Sequence, residues 1–347
     1  MLISTIKHLS SMQTPDTEVA EVARVISDVL ARPQCLDPRA VADIYRRQGL
    51  LVIPDPSATA ISERVIRALQ SQQPLSAIRI GDGEANLLTH NAYATPKLNA
   101  EVGKLILFMQ SDSLEATDKW LKRLSRLMHL SILEADIVGV RGLWISKGDP
   151  LKKQDETAYC GQIQTAGPAE LRGLTGVWRA TDYLLQLGQQ GALQNKMICS
   201  AHFYLSILAN LEQILAQTSC VYLITERSDL LALFTNRFAN VAFKLIPVGS
   251  LRPEQPSSLD RVRELSFLGS TFRQIPRNMA GTLCLVGAGV WAELYCTWIR
   301  RRGGVAVDIG SGMDLLAGQC SRPVHYNWGL HEDLRYSLSE SSGRARP

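Results

Sequence analysis

Short apolar, β-branched runs recur along the chain from residue 75: LSAIRIG, ADIVGVRG, KMICSA, SCVYLITE, VAFKLIPV, TLCLVGAG and VAVDIGSG. Each is apolar nearly throughout rather than alternating, the pattern of a strand covered on both faces. Longer stretches with apolar residues at helical spacing lie between most of them, among them LEATDKWLKRLSRLMHLSILEA, PAELRGLTGVWRATDYLLQLGQQ and VWAELYCTWIRRR. Buried strands alternating with amphipathic helices predict an α/β fold, a Rossmann-like, mostly parallel sheet with helices on both faces. Trp120, Met128 and Trp178 fall on the apolar stripes of these helices and are expected in the core.

The pattern before residue 70 differs. EVAEVARVISDVLA has helical spacing, DPRAVADIYRRQG starts at Asp-Pro and stops at Gly, and ISERVIRALQSQQ follows the turn-rich PDPSATA. Residues 1–70 are therefore expected to form a helical N-terminal appendage, packed on the main domain or on a second copy of the chain in a homo-oligomer. Residues 71–330 form the main domain, and residues 331–347 a partly disordered tail.

Composition changes this picture little. With 347 residues, 46% hydrophobic and 20% charged, the chain can bury a sizeable core. A net charge of +4 gives no reason to expect nucleic acid. The densest basic run, Arg300-Arg301-Arg302, precedes Gly303-Gly304 and reads as the basic last turn of a helix, opposing its dipole. Seven cysteines without a C-x-x-C pair argue against a disulfide framework or a zinc site, which favours a reducing compartment. MLISTIKHLSSMQ lacks a continuous apolar h-region, and no uninterrupted run is long enough to span a bilayer, so the cytoplasm is the expected location.

Open α/β sheets bind ligands at the carboxyl ends of their strands. Those ends carry Asp82 and Glu84, Arg141, Ser200 and His202, Thr225 to Arg227, Gly287 and Gly289, and Asp308 with Ser311 and Asp314. His202 reads either as a hydrogen-bonding loop histidine or as a ligand contact. In IRIGDGEANLL two readings stand side by side. Asp82 is an N-cap with Glu84 in the first turn, although with Asp82 as the cap the position for a capping-box acid is Ala85. Alternatively Asp82 and Glu84 form a D-x-E site for Mn²⁺ or Mg²⁺, with Arg79 bonding a phosphate. Farther on, Gly287, Gly289 and Ala292 make a G-x-G-x-x-A turn, followed by Asp308 about twenty residues later, close to the dinucleotide-binding fingerprint. A nicotinamide-dependent oxidoreductase is accordingly one alternative function, and a non-catalytic nucleotide-binding module another.

Taken together, Arg79-Ile80-Gly81-Asp82-Gly83-Glu84, the Gly287–Gly289 turn and Asp308-Ile309-Gly310 resemble the motifs of the GT-D glycosyltransferases. The resemblance spans about residues 65 to 325, with Ile80 in place of an aromatic and Ser311 in place of a histidine. It implies a metal-dependent transfer of a sugar from a nucleoside-diphosphate sugar to a hydroxyl of a glycan or protein-linked acceptor. It implies Asp82 and Glu84 as metal ligands and catalytic residues, with Asp308 a further catalytic candidate. Together with the strand-end reading, it leads us to expect a nucleotide-sugar site among Arg79, Gly81, Gly83, His202, Glu226, Gly287 and Gly289. Asp314 is displaced by one position from the family's acid, and Asp308, Asp314 and Glu226 all remain candidates for a general base.

Overall fold

In the computed structural model, residues 17–89, 114–143, 154–248, 271–327, 337 and 338 are described. The chain divides into two compact units, each built from non-contiguous segments.

One unit draws on residues 1–50, 80–129 and 140–194 and is helical. Its elements are α1 (Thr17–Ala31), α2 (Pro38–Arg47), α4 (Asp82–Leu88), most of α5 (Leu114–Glu134), α6 (Glu156–Thr165) and α7 (Pro168–Gln189). The Asp-Pro start of α2 acts as its sequence implies: the Asp37 carboxylate accepts from the N–H groups of Arg39 and Ala40, and Pro38 needs no partner at N1. The helix stops at Gly49, whose φ of +78° favours glycine. The long helix α7 is the spine of this unit. Asp182 on it takes both oxygens to Arg32 at 2.7 Å, and Arg32 in turn lies over the ring of the buried Trp178.

The other unit draws on residues 51–79, 130–139 and 195–347 and contains the sheet. Its strands are β1 (Leu51–Ile53), β2 (Leu75–Ile80), β3 (Ile137–Val140), β4 (Met197–Ser200), β5 (Cys220–Thr225), β6 (Ala242–Pro247), β7 (Leu283–Gly287) and β8 (Val305–Asp308). They form one eight-stranded parallel sheet in the order β1-β4-β3-β2-β8-β7-β5-β6. Side chains alternate between faces, so the uninterrupted burial of β3, β4 and β8 means that both faces are covered. This is the Rossmann-like α/β architecture expected, and all seven predicted strands are present. Cys199 and Cys284 on β4 and β7 are fully buried, as small core residues.

Two features differ from the sequence reading. The first seventy residues are not all helical, because Leu51–Ile53 forms edge strand β1 in register with Met197–Cys199. Position 70 is not a unit boundary either: α3 (Thr59–Gln70) belongs with the sheet, and the segment before Leu51 with the helical unit. In the tail, most of which lies outside the described residues, Ser337 and Leu338 are buried, and the Leu338 N–H donates to the Leu316 carbonyl.

The basic run closes the amino end of the sheet. Arg300 and Arg301 occupy the last turn of α11 (Ala292–Arg301), as the dipole argument expects, and each also pairs with an acid. Arg300 grips Asp136 with two bonds, Arg301 grips Glu134, and Arg302 lies 4.1 Å over the Phe272 ring. Asp136 also accepts from the Ser76 N–H at the start of β2, and Lys196 donates to the carbonyls of Leu133 and Ala135. Among the described residues no helix is long and apolar enough to cross a membrane.

Candidate functional site

The order of the strands directs attention to their carboxyl ends. The connection from β5 leads to β6 on one side, whereas that from β7 leads to β8 on the other, so the connections leaving the neighbouring strands β5 and β7 diverge. Such a divergence leaves a crevice where ligands bind in α/β sheets. Here it is edged by Thr225, Glu226 and Arg227 after β5 and by Gly287, Ala288 and Gly289 after β7, with Thr225 in register with Gly287. Gly289 has a φ of +55° and opens a short 3-10 turn, Gly289–Trp291, which leads into α11. The expected strand, glycine turn and helix are thus present, with one tight turn inserted.

Arg79 and Asp308 lie on the neighbouring strands β2 and β8. Asp308, only 1% exposed, accepts from Arg79 Nε at 2.8 Å, from Arg79 Nη2 at 3.1 Å and from the Gly310 N–H at 2.9 Å. Burial pushes its carboxyl above the usual range, against the pull of the guanidinium. Gly310 makes the pairing possible: its φ is +44°, and a Cβ there would fall within 2 Å of Arg79 Nη2, at 1.8 Å. Asp308 is thereby committed to holding Arg79, and a carboxylate so enclosed is not presented to a ribose as the dinucleotide fingerprint requires.

Tyr204, on α8 (Tyr204–Ala209), extends this cluster, and sequence reasoning did not single it out. The Arg79 guanidinium lies 5.7 Å from its ring centroid, the His202 ring meets it edge-on, and its hydroxyl is 3.4 Å from His325 Nε2. His325, on the short helix α13 (Pro323–Asn327), is fully buried and also stands 3.4 Å from the Ser311 hydroxyl. Burial pushes its imidazole down to about 4, so it is neutral at pH 7.

Asp314 is engaged on both carboxylate oxygens. It accepts from Arg227 Nη1 at 3.0 Å and from the Ser321 hydroxyl, while Arg227 also binds Asp229 and Gln319. Glu226 is half-buried at the end of β5.

The D-G-E stretch lies in the helical unit, and here one expectation needs correction. The N-cap of α4 is Gly81, not Asp82, so Glu84 is the third helical residue. Its carboxylate reaches back to the Gly81 N–H at 3.0 Å, which is the acid half of the capping box thought to be missing. Asp82 is the first helical residue, 28% exposed, with its Oδ2 3.4 Å from Arg172 Nη1. Behind it, Gly176 of α7 packs so closely that a Cβ would lie 2.5 Å from the Asp82 Cα and carbonyl oxygen. The buried Asn86 amide bonds the carbonyls of Asp82 and Arg172, and its oxygen accepts from the buried Arg179. Sequence reasoning missed Asn86, Arg172, Gly176 and Arg179. Gly173 and Gly176 inside one long helix were the available signal, since mid-helix glycine costs about 1 kcal/mol and needs a packing reason.

Asp82 and Glu84 also have to be tested as a metal site. Both supply hard oxygen donors, and each carboxylate offers about four lone-pair positions, so a cap or an ion pair does not exhaust it. Among the described residues no group of three or more His, Cys, Asp and Glu is arranged around a common point. A donor set this small fits Mg²⁺ or Mn²⁺, which bind through one or two carboxylates together with phosphate and water.

No protein-family model matches the chain, and no curated protein does. Two solved structures are similar to it. The selenomethionine-substituted structure of domain of unknown function 1792 aligns at 13% identity, over 82% of this chain and 91% of that one, with a TM-score of 0.41. A second, reported as the highly conserved domain of unknown function 1792 with a distinct glycosyltransferase fold, aligns at 13% identity over 84% and 92%, with a TM-score of 0.40.

Proposed function

We propose that the chain is a glycosyltransferase that moves a sugar from a nucleoside-diphosphate donor to a hydroxyl of a glycan or protein-linked acceptor. The observation that carries this reading is the meeting of the two motifs named from the sequence. Arg79 opens R-x-G-D-G-E and Asp308 opens D-I-G; 229 residues apart, they sit on adjacent strands and form one part-buried bidentate pair. In the transfer, the bond from the anomeric carbon to the diphosphate oxygen breaks and a bond to the acceptor oxygen forms. The acceptor hydroxyl gives up its proton, and the nucleoside diphosphate leaves.

In this reading Asp82 and Glu84 hold Mn²⁺ or Mg²⁺, which when bound supplies positive charge to the departing diphosphate. Asp308 holds Arg79 with two bonds at the carboxyl ends of β2 and β8. His202 and Glu226 stand at strand ends where sugar or base contacts are expected.

Isothermal titration of nucleoside diphosphates with and without Mn²⁺ tests the proposal. The parent protein is expected to bind at least one of them only with the metal, and the Asp82→Ala/Glu84→Ala double variant to lose that binding while staying folded. If the acids serve only helix α4, the double variant loses about 1 kcal/mol of stability and keeps its affinity. Binding of NAD(H) without metal would favour the oxidoreductase instead.

A further inference from the structure

Arg172 lies in the second turn of α7, and its head group is poorly satisfied. The contact with Asp82 is a single one at 3.4 Å, whereas charge-assisted bonds are about 2.7–2.9 Å. Elsewhere the chain makes such bonds in full, with Arg32 to Asp182 at 2.7 Å and Arg79 to Asp308 at 2.8 Å. The Arg172 Nε is buried and has no hydrogen-bond partner among the described residues, while the side chain as a whole keeps 21% exposure. A buried donor left without an acceptor destabilises the chain, and more so on a cation.

The looseness does not come from poor positioning of the main chain. The Asn86 amide donates to the Asp82 carbonyl at 2.9 Å and to the Arg172 carbonyl at 2.8 Å, tying the two backbones together. The Asn86 oxygen is in turn engaged by Arg179 at 2.8 Å and Thr175 at 3.3 Å. A buried, cross-braced amide thus holds Arg172 opposite Asp82, while the guanidinium Nε has no acceptor among the described residues.

We propose that Arg172 is a phosphate-binding residue for the nucleoside diphosphate and changes partner when the ligand arrives: Asp82 holds it in the free protein, and phosphate oxygens hold it in the complex. This rests on the reading of Asp82 as a cation ligand. A cation at Asp82 meets the guanidinium as a like charge, and like charges this close repel where solvent screens them only in part. A bare cation must therefore displace Arg172 without offering it anything. A cation that arrives with a diphosphate brings oxygens that fit the planar fork of Nε and Nη. Cation and diphosphate binding are then positively coupled.

Calorimetry on the full chain tests this with Mn²⁺ alone, inorganic pyrophosphate and a panel of ADP, GDP and UDP at saturating Mn²⁺. Arg172→Gln is expected to weaken diphosphate binding at least tenfold while raising affinity for Mn²⁺ alone threefold or more. Arg172→Lys, which keeps the charge without the planar fork, should fall between the parent and Arg172→Gln. Diphosphate affinity unchanged within twofold in Arg172→Gln would overturn the proposal. So would equal weakening of Mn²⁺ and diphosphate binding, the mark of a structural partner of Asp82. Asp82→Asn separates this from the cation reading. If that variant binds Mn²⁺ like the parent, the cation assignment fails, and a tenfold loss of diphosphate in Arg172→Gln still supports Arg172 as the phosphate residue.

Discussion

Replacing Arg79 by Met would remove the partner of the enclosed carboxylate at the carboxyl end of β8. Asp308, at 1% exposure, would keep only the Gly310 N–H of its three donors. An ionised group stranded this way costs about 3–5 kcal/mol. The reverse change, Asp308→Asn, should cost less, about 1–3 kcal/mol. Arg79 is 21% exposed and keeps its place over the Tyr204 ring, so solvent and the ring compensate part of its charge. The double variant should be more stable than Arg79→Met alone, because it deletes the stranded carboxylate, which makes the coupling between the two positions about 2 kcal/mol. The sign of the pH effect follows from the direction of the Asp308 shift. Burial raises its folded pKa, and loss of Arg79 raises it further, so the penalty is absent below the unfolded value near 4 and grows as pH rises through the folded value. Urea unfolding followed by far-UV circular dichroism at pH 5 and pH 8 should show Arg79→Met closer to the parent at pH 5. A cost below about 1 kcal/mol at pH 8, or single costs that simply add in the double variant, would refute the picture of a carboxylate dependent on its arginine.

The two glycines of α7 provide a matched pair. Gly176→Val should cost about 1–3 kcal/mol by overpacking against Asp82 and should weaken Mn²⁺-dependent diphosphate binding. Gly173→Ala, with nothing within 4 Å of its Cβ, should stabilise by about 0.5–1 kcal/mol and leave binding alone. Thermal unfolding and titration calorimetry on both would contradict the packing argument if the two variants behaved alike. His325, held at about 4 against an unfolded value near 6.5, should withdraw roughly 2–3 kcal/mol of stability as pH falls from about 6.5 to 4, since only the unfolded chain takes up the proton in that window. Urea midpoints at pH 7 and pH 4.5 should show a drop that is smaller in His325→Gln, and an equal drop in both proteins would remove His325 as its source.

The sequence by itself determined the elements whose signal is local. Seven strands were legible because each is a run of apolar, β-branched residues long enough to exclude other readings, from LSAIRI to VAVD. Glycine and Asp-Pro boundaries likewise fixed the ends of α2, because they act through φ and through the first N–H groups of a helix. Strand β1 was not legible. Its three residues in GLLVIPDPS show no period, and it exists because Leu51–Ile53 finds Met197–Cys199 about 146 residues later. The role of Glu84 turned on a shift of one residue in where α4 begins, which the spacing of D-G-E leaves open. Both motif ends could be named from the chain, but their meeting could not. The bond between Arg79 and Asp308 depends on β8 inserting beside β2, and strand order is a choice among long-range pairings that no local pattern encodes. Arg172, Asn86 and Gly176 lay deeper still, since a residue on an amphipathic helix acquires a partner such as Asp82 only when another helix is packed against it.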